Sequence, residues 1–272
     1  MTAGLTRTPR LPRWAVLAAY LGVLIAAESL ITYGAAVGGT GYQEAGLSVH
    51  IVLLFALILH SALVWGTSPV MSSLLLATSL ASLIRVFSLG IPQYTFTTIE
   101  RLILVSAPFL ASILAVAYVQ RLRLRDLGLM PTWRGVPIQA AIALTGVPLG
   151  LIEYAILRPE AWIPRLDASA VLAGALAIFL ATGISEELVF RGIMLRRAVE
   201  GLGPTAGLLF VSLTFTSLHI FFRSAADLTF VFGVALFYGY VVLRWKSLWG
   251  VIGSHSLGNV VLYLLAPFFL AA

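Results

Sequence analysis

Apolar residues along this chain gather into long runs separated by short clusters of Gly, Pro and charged residues. The runs fall near residues 14–38, 48–66, 69–90, 102–120, 135–157, 169–195, 204–222, 227–243 and 248–269. Most approach the ~20 residues that a helix needs to cross a hydrocarbon layer ~30 Å thick. Inside a bilayer every backbone donor and acceptor must be satisfied within the protein, which leaves helices or closed barrels. The short alternating segments of a barrel are missing. The pattern predicts an all-α polytopic membrane protein with eight or nine transmembrane helices; the lower count applies if the short run at 227–243 does not cross.

Composition agrees: 60% of the residues are hydrophobic, 10% are charged, and mean hydropathy is +1.00. The absence of cysteine excludes disulfides, thiolate catalysis and cysteine-bound clusters. A net charge of +6 raises the question of nucleic acid. The basic residues, however, are scattered at segment ends and form no dense patch with aromatic partners, so no nucleic-acid partner is expected. They read as topology signals. One side receives Arg7, Arg10, Arg13, Arg121, Arg123, Arg125, Arg134, Arg196, Arg197, Arg244 and Lys246, and the other Arg101, Arg158, Arg165 and Arg223. That bias predicts a cytoplasmic N-terminus in an integral multi-pass protein of the cell membrane. The first run, Trp14 to about Val37, is too long for a cleavable signal and reads as a retained span. The longest polar connection, 121–134, divides the chain into an N-terminal multi-span region, 1–134, and a C-terminal core, 135–272. Within it the apolar stretch Leu127–Pro131 is too short to span and is expected at the membrane interface.

Charge at the centre of a span costs about 2.5–3.5 kcal/mol per residue, so each intramembrane ionisable group requires an account. Glu28, Glu153, His50 and His60 read as structural. Arg85, near the end of the third run, reads as a snorkelling side chain. The C-terminal half differs, because its polar residues come in spaced pairs on three helices. Glu187 and Arg191 stand four apart, acid first, the favourable order for a helical ion pair, which leaves Glu186 free to face His219. Phe215 and His219 share one helical face, and His255 and Asn259 share another. Rises of 1.5 Å per residue place Glu186, His219, His255 and Asn259 roughly 10–20 Å from the cytoplasmic face. Those depths permit one shared cavity, expected to open on the cytoplasmic side.

A carboxylate and an imidazole in such a cavity can take a proton from water and direct it at a carbonyl. N–H donors beside them can stabilise an oxyanion. No Gly-x-Ser-x-Gly elbow and no His-Glu-x-x-His helix is present. A zinc site from Glu186, His219 and His255 remains a chemical alternative.

The series Glu186-Glu187-x-x-x-Arg191, Phe215-x-x-x-His219 and His255-x-x-x-Asn259, in that order on three apolar helices, resembles the motifs of the CPBP family. These intramembrane glutamate endopeptidases are also called the Abi family and include the type II CAAX prenyl endopeptidases. The resemblance covers roughly residues 170–265. It implies that Glu186 and His219 activate water, that His255 and Asn259 stabilise the oxyanion, and that Glu187, Arg191 and Phe215 support them. It also implies no cofactor or metal, typically eight spans, and a membrane-associated peptide or protein substrate, with prenylated or C-terminal segments among the candidates. A non-catalytic immunity or scaffold protein on the same fold, and a proton-coupled transporter, are the competing readings.

Overall fold

The computed structural model describes residues 12–92, 95–130 and 135–270. Arg7, Arg10, Pro131 and Arg134 lie outside the described residues. Within them the chain is helical throughout, with nine helices long and apolar enough to cross a membrane: α1 (Arg13–Val37), α2 (Thr40–Val64), α3 (Pro69–Gly90), α4 (Thr98–Val119), α5 (Val136–Leu157), α6 (Ala168–Leu202), α7 (Pro204–Phe222), α8 (Ala225–Trp245) and α9 (Trp249–Leu270). The chain is an integral multi-pass membrane protein.

Local chemistry explains where the boundaries depart from the apolar runs. The eighth element is a full 21-residue helix, because Ser224 caps it by accepting from the Asp227 amide at 3.1 Å and it continues through Arg244 to Trp245. α2 begins at Thr40, well before residue 48, because Gly38 closes α1 in the left-handed region (φ 68) and the chain turns back at once. Polar Gln43 and Glu44 therefore belong to the first turns of α2 and not to a loop. In the 127–131 stretch, tertiary contacts hold the described residues in place. Leu127 is buried, the amide of Leu248 donates to Gly128 O at 2.9 Å, and Trp249 Nε1 donates to Leu129 O at 3.0 Å. Leu127 to Leu129 thus pack against the start of α9, at the end of a spanning helix.

The three helices of the spaced motifs carry irregularities near the polar residues. α6 has two widened turns, Phe179–Ile184 and Leu188–Met194, on either side of Ser185–Glu187. Such turns shift the side-chain phase and recur at functional sites in other helices. α7 is regular only to Ser217, so His219 sits in the turn that precedes a short tight segment, Ile220–Phe222. α9 is regular from Trp249 to Val260 and widens at Val261–Leu265.

Small residues hold α9 in place. A Cβ at Gly146 would run into the Ser254 carbonyl oxygen, and one at Gly150 into the Gly258 carbonyl oxygen. α5 and α9 thus meet backbone to backbone across two small-xxx-small steps, the close approach that lets helices pack where water supplies no driving force. Gly183 on α6 performs the same service for Ser256. The main core gathers Leu17, Leu57, Leu75, Phe109, Phe190 and Ile252, residues drawn from both parts of the chain.

Candidate active site

Glu187 is fully buried and its Oε1 is shared. Arg191 donates to it from Nη1 at 2.9 Å, and His255 donates from Nδ1 at 2.8 Å. The predicted ion pair therefore forms, and it carries a third member that helical spacing alone does not reveal. Arg191 lies over the Phe215 ring, 4.5 Å from its centroid, and at 5.5 Å from the Tyr238 ring. Phe215 in turn meets Phe190 edge-on at 5.0 Å. The aromatic residue of the second motif thus covers the cation of the first.

Glu186 points the other way, toward open space. Its Oε2 stands 4.0 Å from His255 Nε2, so the two ring nitrogens of His255 face the two adjacent glutamates. His219 donates from Nδ1 to the Phe215 carbonyl at 3.2 Å, and its ring tilts against the Phe215 ring at 4.9 Å. Asn259 donates from Nδ2 to Thr182 Oγ1 at 3.1 Å, tying α9 to the helix that carries Glu186. All four residues line one cavity of about 350 Å3. That volume lies within the range of small-ligand sites. Among the described residues no three His, Asp or Glu side chains are gathered in a way that would hold a metal ion.

Residues 168–261 match the family model described as type II CAAX prenyl endopeptidase Rce1-like. The match covers the stretch that carries all three motifs and supports membership of the CAAX protease family. It supports a protease activity in general. No curated protein and no solved structure matches the chain.

The matched region is completed by residues outside its motifs. Arg85 does not snorkel. It donates from Nε to Glu28 Oε1 at 2.7 Å and from Nη2 to the Leu218 carbonyl at 2.8 Å, directly beside His219. Glu28 is fully buried, and His50 Nε2 approaches the same oxygen at 3.2 Å. Glu28 and His50 are structural in that sense, as is His60, which bonds the Tyr20 hydroxyl at 2.8 Å. Glu153, read as structural, also lines the cavity, as do Thr182 and Tyr238. The Tyr238 hydroxyl bonds Ser254 Oγ at 2.8 Å, which in turn meets Thr145 Oγ1 at 2.9 Å. The intramembrane charge of Glu28, Arg85 and Glu153 was the available signal for these residues. Which of them reach the site depends on how helices distant in sequence pack.

The cavity also opens on an unexpected side. Successive helices alternate in direction, so the end of α3 and the start of α4 lie on the face opposite the start of α1. Ser88, Thr98, Arg101, Trp162 and Phe222, all from that face, line the cavity. Toward the other face every residue of α6 from Glu187 to Leu195 is buried. Residue depths predict an opening on the face where Arg196 and Arg197 lie, which assumes empty space on that side of Glu186; the second widened turn of α6 fills it.

Proposed function

We propose that this protein is an intramembrane glutamate endopeptidase that hydrolyses a peptide bond of a membrane-associated substrate. The observation that carries the reading is that Glu186, His219, His255 and Asn259, from three helices, line one cavity. Their hydrogen bonds support a division of roles. His219 spends its Nδ1–H on a backbone carbonyl, which leaves a bare Nε2 in the neutral ring, able to accept a proton. His255 spends its Nδ1–H on the Glu187 carboxylate, so in its doubly protonated form it presents a second N–H at Nε2.

In the proposed reaction Glu186 and His219 hold a water and receive its proton as its oxygen bonds to the scissile carbonyl carbon. His255 Nε2–H and the Asn259 amide stabilise the resulting oxyanion. The carbon–nitrogen bond then breaks, and the captured proton passes to the leaving amine. Glu187, Arg191 and Phe215 hold His255 from behind. The purified protein, offered a membrane-bound peptide, is expected to cleave it, and Glu186→Ala to lose cleavage while remaining folded. Undiminished cleavage by that variant would overturn the assignment. Activity lost to a chelator and restored by zinc would replace it with the metal-dependent reading.

A further inference from the structure

We propose that the site is served from the non-cytoplasmic face of the membrane, so that its substrates are peptide segments presented on that side and not the tails of cytosolic proteins. The word substrate rests on the peptidase reading above; the direction of access does not.

Three observations converge. The first is the position of the opening. Arg85 and Ser88 close α3, Thr98 and Arg101 begin α4, Trp162 lies between α5 and α6, and Phe222 ends α7. All belong to the face where α1 ends, and they form the outer wall of the cavity that reaches Glu186. The second is the closure of the opposite route. Below Glu186, α6 is buried without interruption from Glu187 to Leu195, and Leu248, Val251 and Ile252 of the α9 end pack there with almost no exposure. A peptide arriving from that face would have to displace the core that holds the Glu187–Arg191 pair. The third is charge. The closed face carries Arg13, Arg121, Arg123, Arg125, Arg196, Arg197, Arg244 and Lys246, and the open face carries only Arg101, Arg158, Arg165 and Arg223 among the loop and helix-end cations of the described residues. Excess Lys and Arg mark the cytoplasmic side of a polytopic protein. The closed face is then cytoplasmic and the mouth faces away from it.

The chain contains no cysteine, so a single introduced thiol reports its own position without background. Ser88→Cys samples the mouth, Glu160→Cys the loop on the same face, and Arg125→Cys the opposite loop. In intact cells a charged, membrane-impermeant thiol reagent should label Ser88→Cys and Glu160→Cys and leave Arg125→Cys at background. Inverted vesicles should reverse the pattern. Labelling of Arg125→Cys but not Glu160→Cys in intact cells overturns the orientation. Ser88→Cys that stays unlabelled in intact cells while Glu160→Cys reacts, or that resists excess reagent in detergent, overturns the open mouth. These readouts need no enzymatic activity. A membrane peptide cleaved with its scissile segment outside, and spared when the segment is moved inside, would extend the result to catalysis. If neither orientation is cleaved, the peptidase reading fails while the labelling result stands.

Discussion

Glu187 and His255 meet at 2.8 Å through Oε1 and Nδ1, although 68 residues separate them in sequence. The same oxygen holds Arg191, so one buried carboxylate fixes both the cation of its own helix and the imidazole of another. Removing one partner of a buried ion pair costs about 3–5 kcal/mol because the other charge is left uncompensated. Glu187→Ala is therefore expected to lower stability by about that much and to abolish peptide cleavage. Thermal unfolding in detergent, read beside a cleavage assay, checks both halves. An active, fully stable Glu187→Ala protein would contradict the geometry.

Glu186 should behave oppositely. Its Oε2 stands 4.0 Å from the ionisable His255 Nε2, and its side chain reaches into the cavity. Glu186→Gln is expected to leave the unfolding temperature close to that of the wild type. Cleavage should fall by roughly 10²–10⁴-fold, the usual contribution of a positioned acid–base group. Equal losses of stability and activity would instead mark Glu186 as a packing residue.

Arg85 is expected to position His219 without touching substrate chemistry. Its guanidinium spans Glu28 and the Leu218 carbonyl at the frayed end of α7, one residue before His219. Arg85→Lys keeps the charge but not the planar two-point grip, so kcat should fall more than KM changes. Arg85→Gln should also destabilise by about 3–5 kcal/mol through the stranded Glu28. Replacing both members, as in Glu28→Leu with Arg85→Met, should recover stability and not activity. Recovery of both would show that the pair has no part in placing His219.

The α5–α9 contact gives a prediction from packing alone. Gly150→Ala would drive a methyl group into the Gly258 carbonyl and move the helix that carries His255 and Asn259. Overpacking of this kind costs about 1–3 kcal/mol, and cleavage should fall with it. Gly22→Ala on α1 is the control, since a Cβ there meets nothing within 4 Å. That variant should be as stable as the wild type or slightly more so, because alanine costs less helical entropy than glycine.

The sequence by itself determined the helical class, the number of candidate spans and the motif residues of the candidate site. Lipid permits few backbone solutions, and it makes each buried charge conspicuous against an apolar background. Spacing of four residues was enough to pair Glu187 with Arg191, because that contact is local to one helix. What remained undetermined was every relationship between helices. Spacing could not show that His255 hangs from Glu187, that Arg85 grips the turn before His219, or that Glu153 lines the same cavity. Nor could it show the widened turns of α6, which depend on neighbours packing against both sides of Glu186. The direction of the opening was lost for the same reason. Depth along a helix is additive in residue number, whereas the space beside it is set by the side chains of other helices, and those residues fill the end nearest Arg196 and Arg197 and leave the far end open.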